Sequence, residues 1–270
     1  MSDHVLITGG AHRLGAELVR AFAHAGWHVW CHYQHSHTQA LALQAELQQL
    51  GLRVDTVQAD LAQADSITAM MAEIERRSGP LRAVVNNAST FEPDTGRDFE
   101  PSTAHRQLDV NLLAPMLLAR ELARQRAHAT DSSDACVIHV LDQKVFNLNA
   151  DYFSYTTSKL ALQSSVALQA QALAPAVRVC GVAPGLMYQS GPQAPENFER
   201  ASRVNLLRQP INPTDVAQTC LFLVRTPSIT GTTVIVDCGQ HLVPLERDVM
   251  FVVDQLLKEP EHAPPKKDQR

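Results

Sequence analysis

Short apolar runs alternate with longer stretches of mixed polarity along most of this chain. The runs are nearly continuous in Val, Ile and Leu, a pattern typical of strands that are buried on both faces of a parallel sheet. Seven such runs are bounded by glycine or polar residues. The predicted strands are His4–Thr8, Trp27–Tyr33, Arg53–Gln58, Ala83–Asn86, Cys136–Leu141, Val177–Val182 and Thr233–Val236.

Between these runs, apolar residues recur at helical spacing, and glycines stand where helices end. Gly26 and Gly51 follow two of the periodic stretches, and Gly79-Pro80 stops a third. Glycine is favoured just past a helix because it adopts the left-handed backbone conformation without strain. The predicted helices run from the turn after the first strand to about Ala25, over Thr38–Leu50, Ser66–Ser78 and Thr103–Arg126, and from near Tyr155 to about Leu173.

Strands that alternate with helices predict an α/β fold, here a doubly wound, Rossmann-type parallel sheet flanked by helices. No internal break divides the pattern, so residues 1–248 are predicted to be a single domain. Beyond it, Val249–Leu257 has the pattern of a short helix. Glu259–Arg270 is rich in proline and charge, so we expect disorder there and set residues 249–270 apart as a C-terminal helix and tail.

Composition excludes several classes of partner. The net charge is −5 and no basic run occurs before the C-terminus, so nucleic acid is not an expected partner. No apolar run is long enough for a membrane span, and the N-terminus enters a strand at once, without the pattern of a signal peptide. Five cysteines without C-x-x-C spacing favour a reducing, cytoplasmic location. His32, His35 and His37 suggest a surface loop, and no metal site is predicted.

A glycine turn follows the first strand and opens the first helix. It has the form Thr8-Gly9-x-x-x-Arg13-Leu14-Gly15. Gly9 permits a tight turn, Gly15 permits close approach of the helix, and the helix N-terminus faces a pyrophosphate in folds of this kind. The alternative is a plain connecting turn, but the strand-turn-helix context favours a dinucleotide site.

The end of the second strand discriminates between the two nicotinamide cofactors. A carboxylate there would bind the ribose 2′-hydroxyl of NAD and repel the 2′-phosphate of NADP. This chain has Cys31-His32-Tyr33-Gln34-His35-Ser36 instead, without an acid. NADPH is therefore the predicted cofactor, with Arg13 near the adenosine ribose and suited to its phosphate, and with Tyr33, His35 and Ser36 beside it.

Polar residues after the next strands extend this site. Asp60, followed by Leu61, ends the third strand where a carboxylate can accept from the adenine amino group, although it could instead cap a helix. Asn87 and Ala88 close the fourth strand over the adenosine side. Asn111 lies inside an apolar helical stretch, so burial would require a hydrogen-bond partner, while an exposed asparagine is the alternative.

Tyr155 and Lys159 are one helical turn apart, and Asp142 lies thirteen residues before the tyrosine. This spacing places the phenol and the ammonium on one face of a helix. A cation there would lower the pKa of the phenol from its usual value of about 10 and make it a better acid catalyst. Asp142 follows the fifth strand, where folds of this kind bind ligands, although a turn cap is the alternative function.

The chain resembles the short-chain dehydrogenase/reductases over about residues 4–242. The resemblance rests on TGGAHRLG, NNA, the helix asparagine, YTTSK and VAPG, which occur in the family order. The arginine in the glycine turn, the run NNASTF and an aspartate in place of the usual serine at 142 resemble the pteridine reductase branch. Bacterial dihydromonapterin and dihydrofolate reductases are close neighbours within it.

This resemblance implies a set of functions for particular residues. Asp142, Tyr155 and Lys159 would be catalytic, and Asn111 would hold a water that relays protons to the lysine. Phe91 would stack a pterin against the nicotinamide, and Ser89 would contact both the cofactor phosphate and the pterin. The run Pro184-Gly185-Leu186 would border the nicotinamide and the pterin edge, although Met187 follows where the branch has a serine. Subunit contacts of a homotetramer would involve the Tyr155 helix and the Thr103–Arg126 helix.

Two other functions compete with an NADPH-dependent pteridine reductase acting on dihydropterin or dihydrofolate. One is a carbonyl or 3-oxoacyl reductase of the same family, and the other is a regulatory protein that binds NADP without turnover. Asp142 argues against the first, because a carboxylate beside a developing alkoxide would repel it, whereas a ring nitrogen needs a proton shuttle. Asn111, Tyr155 and Lys159 argue against the second, because a binder has no use for a proton relay.

Overall fold

In a computed structural model, residues 3–127, 135–191 and 193–256 are described, and they form one parallel sheet with helices on both faces. Its strands are β1 (His4–Ile7), β2 (His28–Tyr33), β3 (Val54–Gln58), β4 (Ala83–Asn86), β5 (Ala135–Val140), β6 (Val177–Pro184) and β7 (Thr233–Val236). The spatial order is β3-β2-β1-β4-β5-β6-β7, so the direction of winding reverses between β1 and β4. The predicted fold class is confirmed.

The helices of the described residues are α1 (Arg13–His24), α2 (His37–Gln49), α3 (Ala64–Ser78), α4 (Pro101–Leu108), α5 (Ala114–Ala127), α6 (Phe153–Leu173), α7 (Pro195–Ala201), α8 (Pro213–Arg225) and α9 (Val249–Leu256). A π-helical segment covers Asp109–Leu113, and short 3-10 turns cover Gln143–Phe146 and Gln240–Leu242. Among helices of the described part of the chain, none is long and apolar enough to cross a membrane.

Two apolar layers cover the sheet. One face packs against α1, α2 and α8, whose buried side chains include Phe22, Leu47 and Val216. The other face packs against α3, α5 and α6, with Met71 and Leu118 among the buried side chains. Since each square ångström of apolar surface removed from water stabilises the fold by about 25 cal/mol, these two layers explain why the strands are apolar along their whole length.

The predicted helix Thr103–Arg126 is interrupted in the structure. The π-helical turn Asp109–Leu113 separates α4 from α5 and adds one residue to the turn. Asn111 lies in this turn and is almost fully buried there, with hydrogen bonds to neighbouring segments. We attribute the interruption to these bonds, because a regular helix would rotate the following residues by a different angle.

Two helices between β6 and β7 were not predicted, namely α7 and α8. Both begin with proline at the first helical position, and Asn212 caps α8 by accepting a hydrogen bond from Thr214 N. Pro-containing starts of this kind are recognisable signals of a helix N-terminus. The short helix predicted at Val249–Leu257 corresponds to α9, and the tail predicted to be disordered, Glu259–Arg270, lies outside the described residues. The separation at residue 248 stays a prediction.

Candidate active site

A cavity of about 460 Å³ opens at the carboxyl ends of the central strands, beside the reversal between β1 and β4. Ligands of doubly wound folds bind at this edge. The cavity is lined by the turn after β1, the ends of β4, β5 and β6, the start of α6 and residues 245–250. Its lining includes the predicted residues Gly9, Arg13, Leu14, Gly15, Asn87, Ala88, Ser89, Phe91, Asp142, Tyr155, Lys159, Pro184, Gly185 and Leu186.

The glycine turn packs too closely for side chains. Gly9 has φ +61°, and a Cβ on it would lie 3.0 Å from the Cα of Ala88. A Cβ on Gly15 would lie 1.9 Å from the carbonyl oxygen of Gly9, so no other residue fits there. No side chain caps the N-terminus of α1, so its first backbone amides have no side-chain acceptor there. These features match the requirements of a bound pyrophosphate.

His32 holds this turn from the neighbouring strand. Its Nδ1 accepts a hydrogen bond from Gly9 N at 3.1 Å, and its Nε2 lies 3.2 Å from the carbonyl oxygen of Ala59. Burial lowers the pKa of His32 to about 4, so the neutral ring donates from Nε2 at neutral pH. The prediction that His32 belongs to a surface loop is wrong, because β2 carries the side chain under the glycine turn.

The end of β2 meets the glycine turn through His12 rather than Arg13. His12 Nε2 lies 2.6 Å from Ser36 Oγ. Arg13 has φ +48° and its guanidinium lies 6.0 Å from the ring centroid of Tyr188, which follows β6. Arg13 also lies on the cavity wall. Its assignment to the 2′-phosphate stays a prediction.

Tyr33 and His35 remain at the end of β2. Tyr33 is buried with its ring 5.5 Å from the ring of His37, and His35 is exposed. Neither residue is in the lining of the central cavity, so any contact that they make with a cofactor is at its adenosine end.

Asp60 and Leu61 follow the end of β3, which pairs with β2. Asp60 Oδ1 accepts from Ala62 N at 3.0 Å, and Asp60 N donates to Ser66 Oγ at 2.9 Å. Leu61 is buried in the apolar layer below. The carboxylate therefore stabilises its own turn, and the assignment to the adenine stays a prediction.

Thr8 connects the ends of β1 and β4. Its Oγ1 accepts from the amides of Asn87 and Ala88 at 2.9 and 3.0 Å. Asn87 Nδ2 in turn donates to the carbonyl oxygens of Thr8 and Gly9. These bonds fix the cavity floor at the reversal point of the sheet.

Asp142 and Tyr155 form a direct hydrogen bond in the cavity. The phenol donates to Asp142 Oδ2 at 2.8 Å, while Asp142 Oδ1 accepts from Lys144 N at 2.8 Å. Lys159 Nζ donates to the carbonyl oxygen of Val140 at 2.9 Å. The sequence-predicted trio is thus brought together, with the aspartate bonded to the tyrosine.

The pKa of Tyr155 is raised in the structure, whereas the sequence predicts that it is lowered. Burial raises the pKa of Tyr155 well above its usual value, and the adjacent charge of Asp142 raises it further. Burial also raises the pKa of Asp142 and lowers that of Lys159 to about 8. The expected acidification by lysine is outweighed first by burial and then by the carboxylate in contact with the phenol, whereas Lys159 Nζ lies 5.8 Å from the ring centroid.

Asn111 is buried and fully engaged in hydrogen bonds. Its Oδ1 accepts from Thr90 N and from Ser89 Oγ, and its Nδ2 donates to Thr90 O and to Ser158 Oγ. The prediction that a buried asparagine needs partners at this position is confirmed. The bonds link the loop after β4, which carries Ser89, to the helix that carries Tyr155.

An aromatic cluster forms one wall of the cavity. Phe91 stacks on Tyr152 with ring centroids 4.0 Å apart and meets Tyr155 edge to face at 4.7 Å. Tyr152 has φ +55° just before α6, and its hydroxyl donates to the sulfur of Met250. Sequence reasoning identified Phe91 and missed Tyr152, which has no motif of its own.

The end of β6 closes the opposite wall. Leu186 N donates to Gln240 Oε1 at 2.9 Å, and Pro184 and Gly185 line the cavity next to it. A Cβ on Gly185 would lie 2.4 Å from the same Gln240 oxygen, so the backbone approaches this side chain closely. Met187 also lines the cavity, where it presents a thioether in place of a hydroxyl.

Comparison with known proteins identifies the class. A family model described as enoyl-(acyl carrier protein) reductase matches residues 9–241. The chain belongs to the short-chain dehydrogenase/reductase family. It is 34% identical to alternative dihydrofolate reductase 1 (FolM) of Brucella canis, solved in complex with NADP, with a TM-score of 0.84 over 89% of this chain and 94% of that one.

Other relatives give the same result. The Brucella suis FolM structure, also with NADP, has the same identity and TM-score and covers 95% of that chain. Dihydromonapterin reductases of Citrobacter koseri and of Escherichia coli strain K12 are 27% and 26% identical over 239 residues, which is 88% of this chain and 96% of each relative. The resemblance stated from the motifs is confirmed.

Because His32 is buried under the glycine turn, the free energy of unfolding should fall at acidic pH. An unfolded histidine binds its proton below about pH 6.5, whereas folded His32 does so only near pH 4. The stabilisation that neutral His32 contributes is therefore complete above about pH 6.5, and roughly 2–4 kcal/mol of it is lost as the pH falls toward 4. The free energy of unfolding, measured with urea between pH 4.5 and 7.5, should change less with pH in His32→Gln than in the wild type. The exposed-site variant His24→Gln serves as control, and equal slopes for all three proteins would contradict the assignment.

Proposed function

We propose that this protein is an NADPH-dependent reductase of pteridines, which converts a dihydropterin or dihydrofolate to the tetrahydro form. The observation that carries the proposal is the 2.8 Å hydrogen bond between Tyr155 and Asp142 at the base of the cavity. The names of the relatives, dihydromonapterin reductase and alternative dihydrofolate reductase, support the same chemistry.

The residues present fit the cofactor. Gly9 and Gly15 leave room for a pyrophosphate at the start of α1, and His12 and Ser36 meet at the end of β2, where no carboxylate stands. A dinucleotide with a 2′-phosphate would therefore meet donors and no fixed negative charge at β2. NADPH bound here would supply the hydride.

The protein's contribution is to hold and move a proton. The substrate has a C=N bond, so its nitrogen needs a proton when hydride reaches the adjacent carbon. The phenol of Tyr155 donates a hydrogen bond to Asp142, so the pair holds a proton at the edge of the cavity. We propose that this pair delivers the proton to the ring nitrogen and that Lys159 and Asn111 maintain the path behind it. Phe91 stacks on Tyr152 through one face and is exposed on the cavity wall, so we propose that its other face receives a flat bicyclic ring.

The hydrogen bond between Tyr155 and Asp142 also argues against a carbonyl or 3-oxoacyl reductase. An alkoxide forming beside Tyr155 would lie against the Asp142 carboxylate, which a dry site penalises strongly. A regulatory protein without turnover is disfavoured because Asp142 and Tyr155 share a hydrogen bond. Lys159 and Asn111 are buried, and each has hydrogen-bond partners of its own.

Replacing Asp142 should separate catalysis from cofactor binding. Asp142→Ser should lower kcat with dihydropterin by about a hundredfold or more, the usual size of an acid–base contribution. The NADPH dissociation constant should stay within about threefold, because Asp142 is bonded to Tyr155 and to a backbone amide. Steady-state kinetics and fluorescence titration of NADPH test both values, with exposed Asp65→Ser as the control. Turnover within about threefold of wild type would contradict the pteridine assignment.

The preference for NADPH over NADH should depend on His12 and His35, at the end of β2 and the turn beside it. His12→Ala should weaken NADPH more than NADH, because His12 meets Ser36 at the end of β2. His35→Arg should strengthen NADPH more than NADH, because it places a permanent cation at the end of β2. Fluorescence titration gives the dissociation constants, and equal values for NADPH and NADH in every variant would show that the phosphate site lies elsewhere.

We further propose that the protein is a homotetramer with α5 and α6 at its subunit contacts. The side chain of Leu168 on α6 is 65% exposed, and Met116 at the start of α5 is also exposed, although apolar side chains in water are costly. The buried members of α6, Leu162 and Val166, face the sheet instead. Leu168 therefore belongs to a second apolar face.

Light scattering should report a tetramer for the wild type at micromolar concentration. Leu168→Asp should lower the mass because it places a charge in a subunit contact. The matched variant Leu50→Asp changes an equally exposed leucine at the end of α2 and should leave the mass unchanged. A stable wild-type monomer, or equal loss of mass in both variants, would contradict this assembly.

A further inference from the structure

The loop after β4, residues 91–99, is bound to the first turn of α6. The backbone amide of Ser154 donates to Asp94 Oδ1 at 3.0 Å, and the amide of Phe153 donates to the carbonyl oxygen of Asp94 at 3.3 Å. Asp94 lies 60 positions before Ser154 in the sequence. The loop is thus joined by hydrogen bonds to the helix that carries Tyr155.

The start of α6 depends on these acceptors because the residue before the helix does not cap it. The first amides of a helix have no partner within the helix, and a serine, threonine, asparagine or aspartate just before it usually accepts from one of them. That position is occupied by Tyr152, whose φ is +55° and whose side chain makes no cap hydrogen bond. Asp94 supplies the acceptors from a different segment, so the loop and the first turn of α6 are positioned together.

Aromatic contacts on both sides of Asp94 complete the attachment. Phe91, which precedes it in the loop, meets the ring of Tyr155 edge to face at 4.7 Å between centroids. Phe99, which follows it, lies 5.7 Å from the ring of Phe153. Ring pairs of this kind stabilise beyond the area that they bury. The hydrogen bonds of Asp94 lie between these two contacts, so they determine where along α6 the ring of Phe91 is held.

The relative position of Phe91 and Tyr155 matters for the proposed reaction. A pterin stacked on Phe91 must present its ring nitrogen to the phenol of Tyr155, and proton transfer requires the two heavy atoms to lie within about 3 Å of each other. A displacement of about 1 Å can lower a rate on the order of a hundredfold. A residue that fixes this position can therefore control turnover without touching the substrate.

We propose that Asp94 is a positioning residue for this reaction. By capping α6 from the loop after β4, it sets the distance and the angle between the ring of Phe91 and the phenol of Tyr155. It acts through its hydrogen bond and not through its charge, since after burial the charges that raise the pKa of Tyr155 are those of Asp142 and Asp248. The proposal rests on the proposed pteridine reductase function and adds to it a residue that is not among the described residues lining the cavity.

Replacement of Asp94 by alanine and by asparagine separates the hydrogen bond from the charge. Asp94→Ala removes the acceptor, so kcat with dihydropterin should fall at least about tenfold, while the NADPH dissociation constant should stay within about threefold. Asparagine caps helices about as well as aspartate, so kcat of Asp94→Asn should remain within about threefold of the wild type. Equal losses of kcat in the two variants would assign the effect to the charge and would overturn the proposal.

Asn212→Ala is a matched control for the loss of a helix cap. Asn212 Oδ1 accepts from Thr214 N at 3.0 Å, and α8 contributes none of the described residues that line the cavity. This variant should lower the urea midpoint about as much as Asp94→Ala does and should leave kcat within about threefold. Glu92→Ala changes an exposed carboxylate next to Phe91 and should change neither value. A loss of kcat in Asn212→Ala as large as that in Asp94→Ala would overturn the proposal.

A double variant tests whether Asp94 acts through Phe91. Phe91→Leu keeps an apolar side chain but removes the ring that meets Tyr155. Residues that act together have non-additive effects, so Asp94→Ala should lower kcat/KM by a smaller factor in the Phe91→Leu background than in the wild type. Equal factors in the two backgrounds would overturn the proposal.

Hydrogen exchange of the wild-type protein needs no variant to fold. The amide of Ser154 should be protected without cofactor or substrate because Asp94 accepts its hydrogen bond, whereas the first amides of an uncapped helix exchange freely. Exchange of Ser154 at the rate of an unprotected amide would overturn the proposal. If the wild type reduced neither dihydropterin nor dihydrofolate, the proposed function would fail along with it. If the wild type reduced dihydropterin but Asp94→Ala kept kcat within about threefold, the positioning proposal alone would fail.

Discussion

Parallel pairing of β1 with β4, and of β4 with β5 and β6, places the carboxyl ends of these strands at one edge of the sheet. Every group of the candidate site depends on that constraint. Thr8 after β1 holds the amides after β4, Asp142 follows β5, and Gly185 follows β6. Residues separated by more than a hundred positions in sequence therefore meet in one cavity, and none of these contacts would survive a shift of register by one residue.

The parts of the fold that could be predicted are those whose signal is local. Apolar runs give the strands, and the tight turn at Gly9 and Gly15 has few physical solutions, because a Cβ at residue 15 would overlap the backbone. The direction of a side chain leaving such a turn is not local information. Arg13 points toward Tyr188 because of packing against a loop that follows β6, and His32 lies under the turn because of its position in β2. Both depend on neighbours that are distant in sequence.

In the site, the sequence predicts which residues meet but not the pKa of their side chains. Spacing alone brought Tyr155 and Lys159 to one helical face, as expected, and the motif order added Asp142. The raised pKa of the phenol follows from its burial and from its contact with the Asp142 carboxylate, and sequence spacing predicts neither. The acid and the buried phenol share one hydrogen bond here, so removing either partner would leave one carboxylate oxygen or the phenol hydroxyl without that bond.

The segment after residue 241 illustrates why a match to a family model predicts the type of reaction more readily than the substrate. The groups proposed to hold the cofactor and move the proton lie within residues 9–241, where the family pattern applies. Asp248 and Met250 come after that pattern ends and also line the cavity. Substrate choice depends on the difference between two binding free energies, and side chains that line a site can change it without touching the reacting atoms.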